Sequence, residues 1–430
     1  MEKDRIIEVL DEWNFWNRDL ECGFERPEYL ERLERLSKAG QVVVVTGIRR
    51  SGKSTLLKQF IRKKIAGGTD RKSFLYVNFE EPRFIGELSL EFMLKIYDAY
   101  REVVKPSGKP EIYLDEVQNV PGWERFVRSL HEKGEAAIFV SGSSSKLLSR
   151  EFGTTLTGRH IDLVVYPLSF TEFLSFNNMN PKSRLEALSN KVKITQYLRD
   201  YLSFGGFPKA VLSQEKTEIL SSYFEDIIVR DVAERHGIAK IGKLRSLAKF
   251  YLSNIASKAS YRRIVPFLGV SLDTVERFSE YLQESYLLFL TPKYAFSVRE
   301  QEINPKKIYA IDSGLRNLVG FKFSEDLGKL YENIVFLELR KSGKEVFYHS
   351  GKKECDFITR ERAKITKAVQ VCLTITPENR DLEVGGLLEA MDTHKLKEGL
   401  VITEDREAEE KHGAKKVKFI PLWKWLLYGK

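Results

Sequence analysis

The run Gln41-Val-Val-Val-Val-Thr46, followed at once by a glycine-bounded loop and a helix-forming stretch, constrains this chain more than any other feature. Four consecutive valines read as a strand buried on both faces, which is the situation inside a parallel sheet with helices on either side. The loop runs Gly47, Ile48, Arg49, Arg50, Ser51, Gly52, Lys53, Ser54, and Thr55 opens the helix behind it. In this order the glycines let backbone N–H groups turn toward an anion, and the helix N-terminus adds the positive end of its dipole. The expected ligand is therefore the phosphate chain of ATP or ADP. Lys53 is expected to reach the β and γ phosphates and Ser54 to ligate Mg²⁺.

A nucleotide site of this kind needs a second half. Glu111-Ile-Tyr-Leu-Asp115-Glu116 supplies it as an apolar strand ending in two carboxylates. Asp115 is expected to hold Mg²⁺ through its water shell, and Glu116 to orient or deprotonate the attacking water, a role that points to hydrolysis. Charge developing on the transferred phosphoryl group calls for a cation, and Arg159, in Leu156-Thr-Gly-Arg159, is the expected source. It would act in trans, in a homo-oligomer. Ser143, just past the strand expected at 136–141, is a candidate sensor of the γ phosphate, and Arg230 a candidate arginine of a helical lid.

A length of 430 residues suggests about three domains. After 1–38, read as short helices, strands alternate with helices over 39–168, the pattern of an α/β sheet with right-handed crossovers. Residues 169–242 lose the β-runs and read as a helical lid, interrupted by Gly205-Gly206-Phe207-Pro208. Three helices and two short strands over 243–318 make a winged-helix pattern, with the helix near Ser271 to Tyr281 in the recognition position. Residues 319–430 alternate again. Seventy Lys and Arg against 61 Asp and Glu leave a net charge of +9, which favours contact with a polyanion such as DNA. Cys22, Cys355 and Cys372 show neither a disulfide framework nor metal-ligand spacing. With no apolar run near the roughly 20 residues of a membrane span and no signal-peptide core, a cytoplasmic protein without a membrane partner is expected.

Six motifs taken in order resemble a known family: the loop Gly47 to Ser54, Tyr76-Val-Asn-Phe-Glu80, Leu114-Asp-Glu-Val-Gln118 followed by Trp123, Ser141-Gly-Ser-Ser144, Leu156-Thr-Gly-Arg159, and Ile311-Asp-Ser-Gly-Leu315. The family is that of prokaryotic, especially archaeal, ATPases with an AAA+ N-terminal half, a winged helix and a C-terminal α/β domain of restriction-endonuclease-like fold. The resemblance implies ATP binding and hydrolysis but supplies no substrate. Nuclease-like members carry a helical Glu, an acidic strand and a strand ending Glu-x-Lys. Glu332 and Asp356 match the first two, whereas the third reads Gln370-Val371-Cys372, an amide and a thiol where a carboxylate and a lysine are needed. The last domain is therefore expected to be catalytically inert unless a lysine arrives from elsewhere, Lys353 and Lys367 being the candidates. The competing reading is a STAND-like signalling switch that binds a protein partner and hydrolyses ATP slowly.

Overall fold

The computed structural model describes residues 1–144, 158–319 and 327–429. The chain divides into two compact units, Met1–Val165 and Tyr166–Lys430.

In the first unit, β1 (Val42–Thr46), β2 (Phe74–Asn78), β3 (Glu111–Asp115), β4 (Ala137–Gly142) and β5 (His160–Val164) form one sheet in the order β2-β3-β4-β1-β5. All neighbours are parallel, so every strand ends on the same edge. The helices are α1 (Lys3–Asp11), α2 (Pro27–Ser37), α3 (Lys53–Ala66), α4 (Leu90–Ala99) and α5 (Trp123–Glu132). Val42, Val44, Val77, Leu114 and Val140 pack with α1, α4 and α5, while Val43, Val45, Tyr76, Tyr113 and Phe139 pack with α2 and α3. Strands β1 to β4 are thus covered on both sides, which is why the valine run carries no polar alternation. The sequence reading found four of these strands and missed β5, whose first three positions are partly or wholly exposed and dilute the apolar signal.

As the edge strand, β2 would leave a row of backbone groups open. The N-terminal segment closes it: Asn14 donates to the Tyr76 carbonyl at 2.9 Å and accepts from the Tyr76 N–H at 2.7 Å. Trp16 Nε1 donates to the Phe74 carbonyl at 2.7 Å.

The second unit opens with helices between residues 170 and 226 and a π-helical segment, Ile227–Glu234. Helices Ile241–Ser253, Tyr261–Leu268 and Leu272–Glu284 follow, with a three-stranded sheet in the order β6-β8-β7 made of β6 (Lys258–Ala259), β7 (Leu288–Thr291) and β8 (Lys306–Ala310). The last part is a mixed six-stranded sheet, β13-β14-β12-β11-β10-β9, from β9 (Glu345–Ser350), β10 (Glu354–Glu361), β11 (Lys364–Val371), β12 (Glu398–Thr403), β13 (Ala408–His412) and β14 (Lys415–Pro421). Helices Leu327–Lys341 and Pro377–Thr393 pack on it. Two motifs marked in the sequence meet here. Asp312 accepts from the N–H groups of Gly206, Gly314 and Leu315 at 2.7, 2.9 and 3.1 Å. A Cβ on Gly205 would lie 2.0 Å from the Asp312 carboxylate, and one on Gly314 would lie 2.3 Å from the Phe204 carbonyl, so both positions require glycine. Among the described residues no helix is long and apolar enough to cross a membrane.

Candidate functional site

The phosphate loop joins the end of β1 to the start of α3. Gly47 has φ +139°, and a Cβ there would meet the Val165 carbonyl oxygen at 2.1 Å. Gly52, at φ +97°, turns the chain into α3, and Arg50 also lies in the left-handed region, at φ 69°. Lys53, buried as the first residue of α3, donates its ammonium to the carbonyls of Gly47 and Ile48 at 3.0 and 3.2 Å. The loop is thus curled around its own lysine. Arg26 braces it from outside, donating to the Ser51 carbonyl at 3.0 Å while its guanidinium lies 4.4 Å from the Tyr29 ring. The Ser51 hydroxyl is buried and has no hydrogen-bond partner among the described residues. Arg49 pairs with Glu80 at 2.8 Å, and Thr55 is exposed.

The acidic half arrives from β3. Asp115 is buried and accepts from Ser141 on β4, from Tyr76 on β2 at 2.5 Å, and from Ser54. Burial, with repulsion from Glu116 behind it, raises the Asp115 carboxyl above the ordinary range, against these three donors. Glu116, one residue past the strand, has φ 51°, a left-handed conformation that a β-carbon ordinarily disfavours. Gln118 Nε2 holds its carboxylate at 2.6 Å, and the carboxylate lies 4.0 Å from Lys53 Nζ. Loop and strand therefore bring together Lys53, Ser54, Asp115 and Glu116, residues separated by some sixty positions in sequence.

Ser143 is buried one residue beyond β4, the strand whose Ser141 binds Asp115. Arg159 lies elsewhere. It precedes β5, its carbonyl accepts from Val42 N–H at 3.0 Å, and its guanidinium pairs with Glu132. That is the amino edge of the sheet, about 13 Å of strand away from the loop edge, so Arg159 does not reach its own phosphate loop. Leu156 and Thr157 of its motif fall outside the described residues. Arg230 pairs with Asp226 one turn earlier. Sequence reasoning missed Tyr76, Gln118 and Arg26 as supports of the site. The first two stood inside quoted motifs, while Arg26 carried no signal because its contact depends on how the N-terminal segment folds back.

The second unit holds a separate polar cluster. Lys307, on β8 and almost fully buried, places its ammonium 3.0 Å from Glu332, 2.8 Å from Glu354 and 2.8 Å from Asp356. Tyr309 donates to Glu332 at 2.7 Å, and Lys258 pairs with Glu354. Gln370 accepts from the Asp356 N–H at 3.1 Å and donates to Glu383 at 2.7 Å. A lysine thus arrives from outside the last sheet, but it is Lys307. Lys353 instead pairs with Asp381 at 2.6 Å, and Lys367 lies against Lys344. Burial pushes the Cys372 thiol up to about 11, so it is no thiolate near neutrality.

A family model described as an AAA domain matches residues 39–174, and one described as a domain of unknown function matches residues 195–325. The uncharacterized protein MJ1544 of Methanocaldococcus jannaschii is 33% identical over 406 residues, spanning 90% of this chain and 88% of that one. An uncharacterized protein of Haemophilus influenzae is 32% identical over 386 residues, spanning 86% and 91%. Among solved structures, the Walker-type ATPase paby2304 of Pyrococcus abyssi aligns with a TM-score of 0.40 at 14% identity, covering 69% of this chain and 95% of that one.

Proposed function

The chain belongs to the AAA-domain, P-loop ATPase family that includes MJ1544, and on that premise we propose that it binds and hydrolyses ATP as a homo-oligomer linked to nucleic acid. The observation that carries the hydrolytic reading is the convergence of Lys53, Ser54, Asp115 and Glu116 at one edge of the sheet. The loop fits a phosphate chain: its glycines leave the space that a Cβ would fill, and Lys53 now rests on carbonyls it can exchange for phosphate oxygens. Ser54 and Asp115 are the residues that would hold Mg²⁺, which when bound neutralises charge on the β and γ phosphates. Glu116 lies beside them as the only one of the four whose role is toward water. Gln118 holds its carboxylate in place to orient the nucleophile and take its proton. Arg159, on the far edge of the sheet, serves a neighbouring copy.

Lys53→Ala should abolish binding of a fluorescent ATP analogue, and Glu116→Gln should retain binding while phosphate release falls at least about a hundredfold. Phosphate release by Glu116→Gln at the wild-type rate would overturn the assignment. Slow turnover that DNA leaves unchanged would favour the signalling-switch reading.

We read the six-stranded sheet as a nuclease-like fold that does no cleavage. Lys307 already occupies three of the carboxylates that a metal would need, and Gln370 is committed to Asp356 and Glu383. With Mg²⁺ or Mn²⁺, wild type and Asp356→Ala should leave plasmid DNA equally intact. Metal-dependent cutting that vanishes in Asp356→Ala would show a live site.

A further inference from the structure

From Arg235 to Leu272 the chain has eight Lys and Arg and not one Asp or Glu, so this stretch contributes +8 to a net charge of +9. The positive surplus is a local feature. Three of the eight are paired: Arg235 with Asp231 at 3.7 Å, Arg245 with Glu225 at 2.7 Å, and Lys258 with Glu354. Arg262 lines a cavity together with Glu276 and Glu302. Lys240, Lys243, Lys249 and Arg263 are exposed and make no ion pair among the described residues.

These four lie on two packed helices, Lys240 as the N-cap residue of the first. In Ile241–Ser253 the buried positions are Leu244, Leu247, Ala248, Tyr251 and Leu252, which leaves Lys243, Lys249 and Phe250 on the outward arc. In Tyr261–Leu268 the buried positions are Ile264 and Leu268, and Arg263 and Phe267, both exposed, lie one turn apart beside them. The Phe250 and Phe267 rings pack at 5.4 Å between centroids, joining the two helices, and Phe267 remains 60% exposed. The Lys243 ammonium reaches to 3.6 Å from where a Cβ on Gly269 would stand, just past the end of the second helix. Arg263 and Lys243 therefore lie close to an exposed aromatic ring, with Lys240 and Lys249 on the adjoining helix.

We propose that this face binds single-stranded nucleic acid, with Lys240, Lys243, Lys249 and Arg263 on backbone phosphates and Phe267 stacked on a base. The proposal rests on the nucleic-acid link proposed above and gives it a location. Free cations release the counterions of a polyanion on binding, and an exposed ring among them has a use on unpaired bases that it lacks on a duplex backbone. The helix in the recognition position, Leu272–Glu284, presents Asp273, Glu276 and Glu280, which would repel phosphates. The contact surface thus differs from the one that the winged-helix pattern suggests.

The test is fluorescence anisotropy with the full chain and a labelled single-stranded oligonucleotide of mixed sequence, over a series of salt concentrations. Its companion arms are the same sequence as duplex and vesicles containing phosphatidylserine. The triple variant Lys243→Gln, Lys249→Gln, Arg263→Gln changes only exposed side chains. It should bind at least about tenfold more weakly, with the salt slope smaller by about 2, from about 0.7 per lost phosphate contact. Phe267→Ala should lose about tenfold in affinity at an unchanged salt slope, because stacking releases no counterions. Arg277→Gln, on the acidic helix, should bind as wild type, and basal ATP hydrolysis should be unaffected in all three. A triple variant that binds like wild type would overturn this face while leaving the nucleic-acid link standing. A wild type that binds no oligonucleotide at low salt would overturn both. Capture by the vesicles alone, or tighter binding of duplex than of single strand, would overturn the single-strand assignment.

Discussion

Glu332 is the residue at which the second unit's electrostatics become measurable. Burial first, then repulsion from Asp356, pushes its carboxyl up to about 7, against the attraction of Lys307 and the hydroxyl of Tyr309. The ordinary value is 4.5, so the folded state favours the protonated form. Below about pH 4.5 the carboxyl is neutral in both folded and unfolded chains and contributes no penalty. As pH rises toward 7 the unfolded chain releases the proton freely and the folded chain resists, so stability falls. Glu332→Gln has no proton to lose. Urea midpoints at pH 5, 6, 7 and 7.5 should therefore shift in favour of the variant as pH rises, relative to wild type. A difference that stays constant, or moves the other way, would show that Glu332 is ionised throughout and that Lys307 dominates the cluster.

At the scale of elements, the N-terminal segment acts as a substitute strand for the edge of the ATPase sheet. Asn14 satisfies both the N–H and the carbonyl of Tyr76, the residue whose hydroxyl donates to Asp115. Asn14→Ala leaves two backbone groups of β2 without their partner and opens the edge to other chains. A loss of about 2–3 kcal/mol is expected from the two hydrogen bonds to β2, beside the one to the Leu10 carbonyl, together with a greater tendency to aggregate. Chemical denaturation and light scattering read the two effects separately. Because Tyr76 shifts with its strand, nucleotide affinity should fall as well; unchanged stability would mean that α1 and α4 hold β2 without help. The sequence announced the strand itself through Phe74-Leu-Tyr-Val, but not its edge position, because strand order depends on which crossovers the helices take.

For the whole molecule, the trans role proposed for Arg159 predicts that hydrolysis depends on assembly. Its own phosphate loop lies at the opposite edge of the sheet, and in the isolated chain it pairs with Glu132. Specific ATPase activity should therefore rise with protein concentration before reaching a plateau. Arg159→Ala should bind nucleotide normally, yet hydrolyse it roughly 10³-fold more slowly at the plateau, the range over which arginine fingers act. Adding Arg159→Ala to Glu116→Gln should then restore activity at mixed interfaces, since each chain supplies what the other lacks. Activity that is independent of concentration and of Arg159 would exclude the trans role.

Contiguous residues determined much of this protein. Valines, glycines, Lys53 and Ser54 stand next to one another, and local backbone geometry is sufficient to make a phosphate loop of them. The same holds for Asp115 and Glu116, since a strand end needs no distant partner to be an acidic strand end. What tertiary structure alone decided is everything that joins distant segments: Asn14 on Tyr76, Arg26 on Ser51, the Gly205 and Asp312 junction, and the placement of Arg159 far from its own loop. Lys307 shows the reason. It is an ordinary lysine in Asn304-Pro-Lys-Lys-Ile308, with no periodicity or spacing to mark it. It becomes the centre of a cluster because β8 delivers it among Glu332, Glu354 and Asp356, carboxylates 25 to 49 positions further along the chain.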